Sequence, residues 1–141
     1  HLDSRVKERT LTWEVEDDML MARMDARLIV QVLVNILNNA VRYTPSGSHI
    51  QIRVRREKTA VLWEVADDGP GIAAPDRDKI FEMFYTAREA GIDGRRSMGL
   101  GLALCKGIIT AHGGQIGVRE AVPHGAVFWF TLQSAEVRCD G

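Results

Sequence analysis

The chain has 141 residues, 45% of them hydrophobic and 26% charged, the make-up of one compact domain; at this length folding buries roughly 68–70% of the unfolded surface, so no disulfide framework is needed. A formal net charge of −1 excludes the whole-molecule field that would draw the chain to nucleic acid or an acidic membrane. Cys105 and Cys139 lie far apart without a CxxC partner or a His cluster, which argues against a structural zinc site and for a reducing compartment, and neither a signal peptide nor an apolar run of roughly 18 residues is visible.

In chain order, the opening HLDSRVKERT does not begin with Met and reads as the tail of an upstream segment, so residues 1–9 are expected to be a residual linker. LTWEV (11–15) and LMARM (20–24) are short strand candidates around an acidic EDD turn. Asp25 is suited to cap a helix over 26–43, which Pro45, Ser46 and Gly47 stop. IQIRVRR (50–56) alternates Ile50, Ile52 and Val54 with polar residues, and AVLWEVAD (60–67) follows a short turn at Lys58, so the two read as a hairpin. RDKIFEMFY (77–85) is expected to form a short helix. TAREAGIDGRRSMG (86–99), with three glycines, mixed charge and no period, reads as a mobile loop. LGLALCKGIITAH (100–112) reads as a helix closed by Gly113 in the left-handed capping position. QIGVREAV (115–122) and AVFWFTL (126–132) are the last strands, and 134–141 a tail. Hairpins beside segregated helices argue for an α+β domain with an antiparallel or mixed sheet, against a doubly wound fold.

Three stretches carry chemistry. In NILNNAVRYTP, three asparagines sit inside a helix, where their short amides compete with the backbone. At about 100° per residue, Gln31, Asn35, Asn38, Asn39 and Arg42 share one sector, and Ile29, Leu33, Ile36, Leu37, Ala40 and Val41 occupy the rest. Asn35 and Asn39, at i and i+4, bring their amides side by side. Their carbonyl oxygens are hard, neutral ligands of the kind that orient Mg²⁺ with water and phosphate. Arg42 offers a fork to phosphate, and Tyr43 a ring to a base. A plain solvated face explains the same pattern equally well.

VADDGPGI places Asp67 at a strand end, able to accept from an exocyclic amine. Gly69 and Gly71 let backbone approach a flat ligand, and Ile72 lies beneath it. An ordinary Asp-Gly, Pro-Gly turn is the alternative. SMGLGLALCKG opens a helix with Gly99 and Gly101, free N–H groups and a positive dipole end that suit phosphate. It is not a Rossmann fingerprint, since Leu104 replaces the third glycine, and not a Walker A loop, since no GKS or GKT occurs. Arg95 and Arg96 can reach a terminal phosphate or simply be solvated. His112 reads as a helix-end residue; Phe81, Phe84, Trp13, Trp63 and Trp129 read as packing residues, and Cys105 as a buried small apolar one.

NxxxN on a helix, DxGxG, a Phe-containing segment, a loop and GLGL, in that order, resemble the N, G1, F and G2 boxes of sensor histidine kinases. The resemblance runs from about residue 10 to 133. DGRRSMGLGLALCK and HGG followed by GAVF look most like the potassium-responsive Kdp sensor kinases. It implies the catalytic ATP-binding domain of the gyrase, chaperone, histidine-kinase and MutL superfamily: a two-layer α/β sandwich with a mixed five-stranded sheet and three helices on one face. By motif position, Asn39 is implied as the principal Mg²⁺ ligand with Asn35 assisting, Arg42 meets phosphate and Tyr43 packs near adenine. Asp67 fixes adenine N6; Gly69, Gly71 and Ile72 line the base pocket; residues 86–98 form a lid; Gly99, Leu100, Gly101 and Leu102 cover phosphates and base. Ser97 and Met98 depart from the glycines common there, and Ala126 from the usual Thr of the last box.

Gyrase-type ATPases, by the same resemblance, carry Glu where this chain has Asn35. Asn35 has no useful basicity, which favours phosphotransfer to a protein over hydrolysis. His1, His49, His112 and His124 lie outside any acceptor-like helix, so the chain is expected to bind ATP or ADP without phosphorylating itself. The implied partners are a dimerisation and phosphoacceptor segment of the parent chain and a response regulator; neither nucleic acid nor membrane contact by this domain is expected. The domain is read as cytoplasmic and monomeric, within a homodimeric parent in the bacterial inner membrane. A nucleotide-responsive interaction module without catalysis and an anti-sigma-factor-type serine kinase remain the alternatives.

Overall fold

The computed structural model describes residues 7, 9–15, 25–77, 79–82 and 101–133. Five strands form one sheet: β1 (Thr10–Val15), β2 (His49–Glu57), β3 (Ala60–Asp67), β4 (Ile116–Glu120) and β5 (Ala126–Gln133). Their order is β1-β2-β3-β5-β4; β1 runs parallel to β2 and every other pairing is antiparallel, so the sheet is mixed. Among the described residues the helices are α1 (Ala26–Tyr43), α2 (Ala74–Arg77) and α3 (Gly101–Ala111). This is the expected α+β sandwich of a mixed five-stranded sheet with three helices.

Alternation along the strands builds the core. Ile50, Ile52 and Val54 of β2, Val61 and Val65 of β3, and Ala126, Phe128, Phe130 and Leu132 of β5 pack under Ile29, Val32, Ile36, Leu37 and Ala40 of α1 and Cys105, Ile108 and Ile109 of α3. Phe81 adds an edge-on contact to Phe128 at 6.4 Å, and Trp63 stacks on Phe130 at 5.5 Å. On the other face of the sheet, Glu64 is 1% exposed yet meets three guanidinium groups, Arg53 at 3.6 Å, Arg55 at 3.4 Å and Arg119, tying β2, β3 and β4 together. Trp13 departs from the packing role expected of it. It is 57% exposed, because β1 is an edge strand with a neighbour on one side only.

Local signals set the helix ends. Asp25 is extended, and its Oδ1 accepts from the N–H groups of Arg27 at 3.0 Å and Leu28 at 3.4 Å, which caps α1 as expected. Thr44, extended ahead of Pro45, ends the helix, and its hydroxyl donates to the carbonyl of Ala40 at 2.8 Å. Arg9 donates to the carbonyls of Val41, at 3.1 Å, and Thr44, so a cation satisfies orphan acceptors at the negative end of the helix. At the end of α3, Gly113 has φ 78°, its N–H reaches Thr110 at 2.9 Å, and the Gly114 N–H reaches Ile109 at 3.0 Å, a Schellman closure.

The short helix expected at 77–85 begins earlier. α2 starts at Ala74, with Pro75 in the first turn, where its missing N–H costs nothing, and 79–82 form a turn. Residues 83–85, the LMARM segment (20–24), the 86–99 loop and the 134–141 tail lie outside the described residues. The strand expected at 115–122 is shorter, Ile116–Glu120. Among the described residues no helix is long and apolar enough to cross a membrane.

Candidate functional site

The C-terminal half of α1 carries the asparagines. Asn39 is only 9% exposed, although it belongs to the polar sector, and its Nδ2 is buried with no hydrogen-bond partner among the described residues. An unpaired buried amide costs about 1–3 kcal/mol, so a solvated helix face does not describe this residue. Asn35, one turn earlier, is half-buried and donates from Nδ2 to the carbonyl of Gly101, the first residue of α3, at 3.4 Å. Cys105 packs beside it; its thiol reaches the Val32 carbonyl at 3.7 Å, and burial pushes its pKa up to about 11, so it is an inert core residue as expected. Asn38 is half-buried. Arg42 and Tyr43 occupy the last turn of α1, and their side chains lie outside the described residues.

The second cluster forms where β3 ends. Asp67 is 6% exposed, and its Oδ1 accepts from the N–H groups of Gly69 at 2.9 Å and Ala126 at 3.3 Å. Burial raises its carboxyl pKa above the ordinary value; the two backbone hydrogen bonds oppose that rise, the neighbouring Asp68 adds to it, and His124 opposes it. Asp68 itself is held below its ordinary value, chiefly by the backbone N–H of His49, 2.8 Å from its Oδ1. Gly71 has φ 84°, and a Cβ there would lie 2.9 Å from the carbonyl oxygen of Gly125. Gly125, at φ 114°, rests so closely on Asp67 that its own Cβ would sit 2.0 Å from the Asp67 carbonyl oxygen. Ile72 is buried in the core beneath this turn.

Chain connectivity brings the clusters to one end of the sandwich. β2 begins six residues after α1 ends, and Ile50 of β2 pairs with Asp67. The site therefore lies between the C-terminal half of α1, the start of α3 and the end of the sheet where β3 finishes beside the start of β5. A buried acceptor at a strand end, backbone kept thin by glycine, and an unpaired carboxamide opposite a helix start suit a flat amine-bearing ring joined to an anion.

Residues 24–136 match the family described as Histidine kinase-, DNA gyrase B-, and HSP90-like ATPase. The chain belongs to that family. It is thus an ATP-binding domain. Over 126 residues it is 40% identical to sensor protein KdpD of Clostridium acetobutylicum, a match covering 89% of this chain but 14% of that relative. The chain therefore spans a small share of the curated relative's length. Full-length ShkA in complex with AMPPNP is similar at TM-score 0.78 and 30% identity, over 94% of this chain and 27% of that one. Histidine kinase ThkA in complex with response regulator protein TrrA is similar at TM-score 0.75 and 28% identity, over 93% and 36%.

Of the residues singled out in the sequence of this ATPase-family domain, Asn35 and Gly101 meet directly, and Leu102 is buried in the core just beyond them. Asp67, Gly69, Gly71 and Ile72 build the turn after β3. Gly99 and Leu100, and the expected lid at 86–98, lie outside the described residues. Sequence reasoning missed the role of the β4–β5 turn. His124 Nδ1 lies 3.1 Å from the Gly69 carbonyl, Gly125 rests on Asp67, and the Ala126 N–H holds the Asp67 carboxylate. The motif HGA was visible, but nothing local tells that it folds onto a segment 55 residues earlier. His112 does more than end a helix: Nδ1 donates to the Ile108 carbonyl at 2.8 Å, and Nε2 accepts from the Asp25 N–H at 3.0 Å.

Proposed function

We propose that this domain serves a sensor histidine kinase, binding Mg²⁺·ATP and delivering the γ-phosphoryl group to a histidine of a dimerisation segment in the same parent protein. The observation that carries the reading is the Asn39 amide, buried at the site with its Nδ2 lacking a hydrogen-bond partner among the described residues. The unpaired Nδ2 can only donate and suits a phosphate oxygen, while the carboxamide oxygens of Asn39 and Asn35 would hold Mg²⁺, and the ion would neutralise phosphate charge. Arg42 is assigned to the phosphates and Tyr43 to the base; Gly99, Leu100, Gly101 and Leu102 cover the nucleotide. Asp67 Oδ1 is already engaged by two N–H groups, which leaves Oδ2 to accept from adenine N6. Ile72, Gly69 and Gly71 line the base pocket.

The transfer breaks the bond between the γ-phosphorus and the β–γ bridging oxygen, forms a phosphorus–nitrogen bond to the acceptor imidazole, and releases ADP. An amide at position 35 abstracts no proton, so water attack gains no base from this residue and transfer to a protein nucleophile is favoured. ShkA's AMPPNP complex and ThkA's complex with TrrA support a nucleotide and a response regulator as the partners here. The parent is proposed as an inner-membrane homodimer, with residues 1–9 joining this domain to its dimerisation segment and 86–98 acting as a lid.

The test is incubation of the chain with Mg²⁺ and γ-labelled ATP, with and without the dimerisation segment of the parent. Label on that segment that acid removes and base spares supports the reading. Acid-stable label on a serine, or rapid phosphate release by the chain alone, contradicts it.

A further inference from the structure

The β4–β5 turn contains a side chain with no part in the reading above. Residues 124 to 126 each touch the Asp67–Gly71 segment in a different way. His124 Nδ1 lies 3.1 Å from the Gly69 carbonyl oxygen; that oxygen can only accept, so Nδ1 carries the proton. Gly125 packs on the Asp67 backbone and presents its carbonyl to Gly71. The Ala126 N–H reaches Asp67 Oδ1 at 3.3 Å, and the Ala121 N–H closes the turn onto the Gly125 carbonyl at 3.0 Å. Gly69 is therefore held from both sides. Its N–H binds the carboxylate of Asp67, and its carbonyl binds His124. Of the contacts that residues 124 to 126 contribute here, that of His124 comes from its side chain and the others from backbone, so it can be removed without a backbone clash.

We propose that His124 is a positioning residue for the purine pocket: by anchoring the Gly69 carbonyl it holds the Gly69 N–H on Asp67 and keeps the carboxylate set to accept from an amine at the purine 6-position. The proposal rests on the nucleotide reading of this site. It makes His124 a determinant of the choice between adenine, whose 6-amino group donates, and guanine, whose 6-oxo group would face the carboxylate with a second acceptor. Loosening Asp67 weakens adenine more than guanine, because adenine alone depends on the preset acceptor.

The test compares wild type, His124→Ala and His124→Asn, whose amide N–H replaces that of Nδ1. Each is titrated with non-hydrolysable ATP and GTP analogues, and amide hydrogen exchange is followed at Gly69 and Ala126 without ligand. The His124→Ala variant is expected to bind the ATP analogue roughly three- to tenfold more weakly, the worth of one hydrogen bond, with the GTP analogue unchanged. Exchange at Gly69 should speed up, and His124→Asn should restore both readings. Unchanged exchange and affinity in His124→Ala, or equal weakening of both analogues without rescue by Asn, overturns the proposal. A wild type that binds neither analogue while His124→Ala still speeds exchange at Gly69 faults the nucleotide reading and leaves the anchoring standing; no binding and no change in exchange overturns both.

Discussion

The helices α1 and α3 lie side by side, and their two ends have been finished differently. At the end where α1 begins and α3 stops, polar groups are closed in pairs. Asp25 Oδ1 takes two N–H groups of α1, the Asp25 N–H goes to His112, and His112 returns a proton to the Ile108 carbonyl. At the opposite end, Asn35 reaches Gly101 across a long 3.4 Å contact, and Asn39 buries an amide nitrogen that has no partner among the described residues. Both ends are built from the same pair of helices in the same domain. One end spends its hydrogen bonds on holding the helices together; the other withholds them at a cost to stability, which is how a binding site is told apart from a joint.

Substitutions can break that contrast. The largest effect is expected at Asp67, whose Oδ1 serves the fold and whose Oδ2 is assigned to the base. Asp67→Asn keeps a neutral acceptor for the Gly69 and Ala126 N–H groups but removes the charge, and should weaken an ATP analogue at least roughly 30-fold, about 2 kcal/mol, measured by calorimetry. Next comes Asn39→Ala, which should abolish the Mg²⁺-dependent part of nucleotide affinity while leaving the melting temperature unchanged or higher. Alanine removes an unsatisfied buried amide and is the better helix former by up to ~0.7 kcal/mol. His112→Ala should do the reverse, costing about 1–2 kcal/mol of stability in denaturant melts with nucleotide affinity intact, because two hydrogen bonds at the closed end are lost.

The smallest effect near neutrality is one of pH. Burial raises the Asp67 pKa, so the folded protein holds this proton more tightly than the unfolded chain does. Taken alone, Asp67 therefore favours the fold at low pH and loses that contribution as pH rises through its folded value. Binding runs the other way, because the amine needs the carboxylate form. Affinity for the ATP analogue should fall on acidification, beginning at a higher pH than an ordinary aspartate would give, and Asp67→Asn should lack that dependence. An affinity that stays flat until the ordinary aspartate range would contradict the role given to Asp67.

Local rules made much of this legible in the sequence. The Asp25 cap, the stop before Pro45, the Lys58 turn and the Gly113 closure each follow from a few adjacent residues, and each is observed where those residues stand. The polar sector of α1 was equally plain. What periodicity could not separate was Asn39 from Asn38, one buried and the other half-buried, since that depends on where α3 and the sheet pack. Trp13 was misjudged for a similar reason: only the strand order makes β1 an edge. The start of α2 turned on Pro75, which opens a helix as readily as it interrupts one. The grip of residues 124 to 126 on Asp67, and the reach of Arg119 to Glu64, join strands distant in sequence and have no local mark.

The central claim is that the open end of the helix pair holds a metal-bound nucleotide. It is tested most directly by calorimetric titration of wild type and Asn39→Ala with a non-hydrolysable ATP analogue, each with and without Mg²⁺. The expected result is binding by wild type that Mg²⁺ tightens by about tenfold or more, 1.4 kcal/mol, and binding by Asn39→Ala that Mg²⁺ no longer affects. Failure of wild type to bind at millimolar analogue, or an undiminished Mg²⁺ effect in Asn39→Ala, would contradict it.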